Sequence, residues 1–184
     1  MSALLRGDGL ALVRGGRLLF DALDVALDAG EAVHVTGPNG CGKSSLIRLV
    51  AGLLRPSAGR VERSEAALAD EGLALDRELP LRRALAWWGG AHLDDAIEQF
   101  GLDRLGAIPV RLLSTGQAKR ARLARVMASG APLWLLDEPL NGLDSTGTTQ
   151  LAGAIANHCT SGGAILAASH GPLAGDWRTL ELAR

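Results

Sequence analysis

The sequence predicts an α/β domain: a three-layer sandwich with an antiparallel β region at its start and a helical subdomain inserted in its middle. Three observations carry that prediction. Residues 32–51 read as a short apolar strand, a glycine-rich loop and a helix. After Pro132 apolar runs of strand length alternate with helical periodicity. Between them, from Pro80 to Gly130, apolar residues recur at three and four. A chain of 184 residues can bury a core without disulfides, so one domain is expected over 1–184, with its core at 1–78 and 131–184 and the helical subdomain at 79–130.

The elements follow in order. From residue 10 to residue 27 apolar and polar residues alternate around Gly15 and Gly16, as in two antiparallel strands joined by a tight turn. Residues 59–64 suit another short strand after the turn at 56–58, and the stretch 66–78 carries only a weak signal. Residues 81–87 and 93–100 read as helices, broken by Gly89, Gly90 and Gly101. Residues 133–136 form a continuous apolar run ending in Asp137, residues 145–159 read as a helix, and 164–169 as a second buried strand. Trp87 and Trp88 end an amphipathic helix, where one core and one rim residue is the ordinary outcome and a partner surface the other.

The loop between strand and helix carries the chemistry. Gly37, Pro38, Asn39, Gly40, Cys41, Gly42, Lys43 and Ser44 spell GPNGCGKS, followed by Ser45, and fill the pattern GxxxxGK[ST]. The glycines let backbone N–H groups face inward to cradle a phosphate at the N-terminus of the next helix. Lys43 is placed to reach the β- and γ-phosphates of a nucleotide, and Ser44 to put its hydroxyl on Mg²⁺. Cys41 sits at a helix N-terminus one step before Gly42 and Lys43, a setting that favours a thiolate; a small filler is the plainer account.

Composition narrows the setting. With two cysteines there is no disulfide framework, which suits a reducing, cytoplasmic compartment. No segment approaches the roughly 20 apolar residues of a membrane span, so the chain is expected to be peripheral to a membrane at most. A net charge of −1 without a basic block speaks against nucleic acid as a partner.

Three further elements follow the loop. In LLSTGQAKRARLARVM, residues 112–127, Ser114 and Gln117 have the spacing of a capping box; the plain reading is a well-capped helix. In LWLLDEPLNGLD, residues 133–144, a buried strand delivers Asp137 toward a metal and sets Glu138 beside it to deprotonate an attacking water. His170 follows the strand AILAAS, where a lone histidine is by default a satisfied loop residue.

In this order, and over essentially the whole chain, these elements resemble the ATP-binding subunits of ABC transporters, a branch of the P-loop NTPases. GPNGCGKS is similar to the Walker A motif, LSTGQ to the signature motif, LWLLDEP to the Walker B strand, NGLD to the D-loop and His170 to the switch histidine. The resemblance implies ATP and Mg²⁺ as cofactors, with Lys43, Glu138 and His170 catalytic and Ser44 and Asp137 on the metal. It also implies a second copy of the chain, whose Ser114, Gly116, Gln117 and Asp144 would close over the nucleotide held by the first. Within the family, RGGRLLFDAL, IPVRLLSTGQ, LWLLDEP and the early end after SHGPL are most similar to the haem-export ATP-binding subunits of cytochrome c maturation. That implies integral membrane subunits as partners, haem handled by those partners, and a place on the cytoplasmic face of the inner membrane.

Three departures bear on the site. With no tyrosine in the chain, Arg14 stands near the position of the usual adenine-stacking aromatic, and a guanidinium face can stack instead. Residues 66–79 contain no glutamine to touch Mg²⁺, leaving Asp70 or Glu71 as substitutes. Thr115 replaces a signature glycine. The residues leave open an ABC subunit for another cargo, a soluble ABC protein acting on ribosomes or DNA, and a module that holds ATP without cleaving it.

Overall fold

Two adjacent glycines close the first hairpin in the computed structural model of the chain, which describes residues 3–182. Gly15 and Gly16 take φ +57° and +76°, the two positive values that a two-residue turn between twisted strands requires. They join β1 (Leu5–Arg14) to β2 (Arg17–Leu27). The chain continues through β3 (Ala32–Thr36), α1 (Lys43–Val50), β4 (Ala58–Arg63) and β5 (Ala66–Ala69). Helices α2 (Leu81–Ala86), α3 (Leu93–Gln99) and α4 (Thr115–Ala128) follow, then β6 (Leu133–Asp137), α5 (Ser145–Thr160), β7 (Ala164–Ala168) and β8 (Arg178–Glu181).

The strands form two sheets. One is antiparallel, in the order β2-β1-β4; the other is parallel, in the order β5-β6-β7-β3-β8. The inner strands β6 and β7 are buried on both faces, and the side chains of β3, β6 and β7 alternate between two cores with the period of two that a pleated strand imposes. Leu133 and Leu135 of β6, Val33 and Val35 of β3, and Leu166 of β7 face α1 and the antiparallel sheet. Trp134 and Leu136 of β6, with Ile165 and Ala167 of β7, face the other way, into a core shared with Leu85, Ile97, Phe100 and Leu123 of the helical segment and Ile155 of α5. At about 25 cal/mol per Å², each fully buried leucine or isoleucine contributes roughly 1.5–3 kcal/mol to this sandwich before conformational entropy is counted.

Parallel order has a functional consequence: every parallel strand ends at the same edge of the sheet. The phosphate loop follows β3, Glu138 follows β6 and His170 lies just beyond β7, so residues far apart in sequence meet at that edge.

Two strands and one surface depart from the sequence-based expectation. The weak stretch after residue 65 forms β5, and the four-residue β8 adds to the free edge of β3. Both are edge strands with a neighbour on one side only, so neither needs the continuous apolar run that marks an inner strand. Neither tryptophan is a core residue: Trp87 is 86% exposed and Trp88 39%. They border a groove of about 740 Å³ with Ala74, Leu75, Leu79 and Arg83. The Trp88 ring covers the guanidinium of Arg125 at 4.6 Å.

Candidate nucleotide site

The loop after β3 folds as its glycines permit. Gly37, Gly40 and Gly42 have φ +140°, +75° and +113°, values that L side chains rarely adopt. At Gly37 space forbids a side chain as well, because a Cβ would lie 2.6 Å from Leu182 O and 2.8 Å from Cys41 Sγ. Helix α1 starts at Lys43 behind Gly42 with no side-chain cap, leaving its first N–H groups to the loop's concavity. The Lys43 ammonium, nearly buried, spans that concavity and donates to Gly37 O at 2.8 Å and Pro38 O at 3.3 Å. A cationic donor held by neutral carbonyls in an N–H-lined cradle fits a phosphate.

Cys41 does not fit the reactive-thiol expectation. Its side chain is 2% exposed and packs in the core with Val33, Val35 and Leu46, while its N–H donates to Pro38 O at 3.3 Å. The helix N-terminus is close, but the sulfur faces the sheet.

The loop opens on a cleft of about 580 Å³ lined by Arg14, Gly15, Leu19, Asn39, Gly40, Gly42, Lys43, Ser44, Ser45, Glu138 and His170. Arg14 lies exposed at its mouth, its Nη1 3.4 Å from Ser45 Oγ. At its floor Ser44 Oγ donates to Asp137 Oδ1 at 2.8 Å. Asp137 is buried, and loss of water pushes its carboxyl above the usual aspartate range; the Ser44 hydrogen bond and Arg48 pull it back, while Glu138 and Asp70 push it further up. A hydroxyl and a carboxylate oxygen in contact, in a spot where negative charge is poorly solvated, suit a hard divalent cation that takes its remaining ligands from phosphate and water. Among the described residues no cluster of three or more histidine, cysteine or acidic side chains could hold a metal without such help.

Glu138 leaves β6 with φ +49°, in the left-handed region, its N–H donating to Ala168 O at 2.8 Å. That turn aims the carboxylate at β7's end. Its Oε2 accepts from His170 N at 3.4 Å and its Oε1 lies 3.5 Å from His170 Nε2. Glu138 is the more sheltered partner, with 19% of its side chain exposed against 56% for His170.

The remaining expected residues lie elsewhere. Ser114, Gly116 and Gln117 start α4 outside the cleft, and the side chains of Ser114 and Gln117 are engaged locally: Gln117 N donates to Ser114 Oγ at 3.3 Å, and Ser114 N to Gln117 Oε1 at 2.9 Å, a complete capping box. Asp144 caps α5, its Oδ1 accepting from Gly147 N at 2.7 Å. A single chain therefore does not bring these residues to its own phosphate loop. Asp70 lies near enough to Asp137 to raise its pKa, with Oδ1 accepting from Gly72 N and Oδ2 4.0 Å from Arg48. Glu71 instead borders a smaller cavity with Thr115 and Arg122.

Sequence reasoning missed two buried arginines. Arg122 and Arg125 of α4 donate to the carbonyls of Asp70 and Leu68 at the end of β5, so the helix that begins at Ser114 is tied to the sheet beside Asp137. Burial lowers both guanidinium pKa values, and the charge of Asp70 opposes that effect. Their spacing of three on a helix whose other inner residues are alanine, leucine and valine was the available signal.

Comparison with known proteins agrees with this geometry. The family described as ABC transporter matches residues 20–141. The chain is 56% identical over 181 residues to the cytochrome c biogenesis ATP-binding export protein CcmA of Sphingopyxis alaskensis, covering 95% of this chain and 93% of the relative. It is 60% identical over 167 residues to the protein of that name from Novosphingobium aromaticivorans, covering 90% and 87%. A solved ATP-binding subunit of an ABC transporter shares the fold, with a TM-score of 0.82 and 24% identity over 91% of this chain and 79% of the other. The chain belongs to the ABC transporter ATP-binding family and, within it, to the cytochrome c biogenesis ATP-binding export proteins.

Proposed function

We propose that this chain is the ATP-hydrolysing subunit of an exporter that serves cytochrome c maturation by coupling hydrolysis to haem delivery across the inner membrane. The observation that carries the reading is the meeting, in one cleft, of the phosphate loop, the Ser44–Asp137 contact and the Glu138–His170 pair. Members of this family bind ATP and hydrolyse it, and the residues here divide that work. Gly37, Pro38, Asn39, Gly40, Cys41, Gly42 and Ser45 shape the loop whose N–H groups hold phosphate. Lys43 moves from the loop carbonyls to the β- and γ-phosphate oxygens, and Arg14 lies flat on the base at the cleft mouth. Ser44 and Asp137 would hold Mg²⁺, which when bound would neutralise charge on the phosphates.

Glu138 takes a proton from the attacking water as its oxygen bonds to the γ-phosphorus. The bond to the β–γ bridging oxygen breaks, ADP keeps that electron pair, and His170 steadies the γ-phosphate oxygens. Because Ser114, Gly116, Gln117 and Asp144 lie outside the cleft, a second copy supplies them, with the α4 N-terminus directed at the γ-phosphate.

Subunits of this family work with integral membrane subunits. Among the described residues no helix is long and apolar enough to cross a membrane, which is consistent with a peripheral place on the cytoplasmic face. The exposed Trp87 and Trp88 beside their groove are the surface we assign to a membrane partner, whose subunits handle the haem. The test is to purify the tagged chain from its native membrane and identify what accompanies it. Integral subunits of the cytochrome c maturation exporter are expected; ribosomal proteins, or the membrane subunits of another transporter, would overturn the assignment.

A further inference from the structure

His34 is the one ionisable side chain in β3, and it lies half-buried on this inner strand of the parallel sheet, between Ala167 on one neighbouring strand and Thr179 on the other. A polar side chain on an inner strand calls for an account of what it bonds. The imidazole Nε2 lies 3.1 Å from the carbonyl oxygen of Ser169. A carbonyl only accepts, so Nε2 carries the proton and donates. Trp177 stands edge-on to the imidazole, with ring centroids 6.3 Å apart and planes at 71°, and its Nε1 is anchored to Ala174 O at 3.0 Å. The ring is thus held from the side as well as by its hydrogen bond.

The carbonyl that His34 holds belongs to the peptide joining Ser169 to His170, and the N–H of the same peptide donates to Glu138 Oε2 at 3.4 Å. A trans peptide is planar, with C=O and N–H pointing in opposite directions, so fixing one end aims the other. His34 and Glu138 therefore sit at the two ends of one rigid unit, and rotation of that unit would break both contacts together. Donation to the carbonyl also polarises the N–H, which strengthens its bond to the carboxylate. We propose that His34 is a positioning residue for hydrolysis: by pinning the Ser169–His170 peptide it fixes the Glu138 carboxylate against the attacking water and sets where His170 stands. This rests on the reading of Glu138 as the base.

The test uses the full chain assembled with its membrane subunits. His34→Leu keeps the size and removes the donor; His34→Gln keeps an amide donor at the reach of Nε2. Losing one hydrogen bond of ordinary strength predicts a fall in kcat of about five- to tenfold in His34→Leu, with ATP affinity unchanged and most of the rate restored in His34→Gln. In a His170→Ala background His34→Leu is expected to cost less than it does alone, because the two act through one peptide. Wild-type kcat in His34→Leu would overturn the proposal. So would equal losses in the leucine and glutamine variants, or a loss that appears as weaker ATP binding, each of which marks a packing role. If His34→Leu does not fold, His34→Gln decides: a fall in kcat beyond tenfold at wild-type stability would overturn it too. Glu138→Gln run in parallel separates the two readings, since wild-type turnover there removes the base itself, whatever His34 does.

Discussion

Ser44 Oγ donates to Asp137 Oδ1 at 2.8 Å, joining the first turn of α1 to the last residue of β6 across 93 positions of sequence. The contact holds a carboxylate in a place where its charge is poorly solvated, and the consequence for stability can be signed. A carboxyl pKa raised by folding contributes stability that is fully present below the ordinary aspartate value of about 3.9 and lost as pH rises through the folded value. At neutral pH Asp137 is therefore a cost to the nucleotide-free fold. Asp137→Asn is expected to raise Tm at neutral pH without nucleotide, the gain shrinking toward acid pH, and to abolish Mg-dependent turnover. Thermal melts across pH check this, and a variant less stable than wild type at neutral pH would contradict it.

Glu138→Gln removes the carboxylate we assign as the base and leaves the cleft's shape. It is expected to bind ATP with near wild-type affinity and to lose about 10²–10⁴ in turnover, the usual worth of a positioned general base. Lys43→Ala, by contrast, is expected to weaken ATP binding itself, because the ammonium is the cleft's one buried cation. Nucleotide titration beside steady-state hydrolysis distinguishes the two patterns.

Cys41 is expected to resist maleimide in the folded chain, with Cys159 labelled first because it is only partly covered. Gly37→Ala meets both a closed space and φ +140°, and is expected to cost roughly 1–3 kcal/mol and to disable the loop. Rapid labelling of Cys41 in native protein would contradict its burial, and a Gly37→Ala melt at wild-type Tm would contradict the closed space beside Gly37.

The site proposed to be shared between two copies predicts nucleotide-dependent association. Glu138→Gln with ATP is expected to dimerise, the ADP form to remain monomeric, and added Ser114→Arg to abolish the dimer while costing about 1 kcal/mol in α4 through loss of its cap. Sizing of the three samples reads this out; a substantial dimer fraction identical in all three would exclude a site built from two chains.

What the sequence determined by itself is local. The glycine spacing, Lys43 at a helix start, the Ser114–Gln117 capping box and the apolar runs of β6 and β7 depend on neighbours within a few residues, where steric limits and periodicity act directly. Together they carried the fold class and most of the candidate site. The tertiary structure decided what depends on strand order. Only the parallel arrangement sets His34 against Ser169, places Glu138 beside His170, turns the Cys41 sulfur into the core and buries Arg122 and Arg125 against the end of β5. It also left Trp87 and Trp88 outside and made strands of β5 and β8, because an edge strand or a helix end carries no repeating pattern that says which neighbour will cover it.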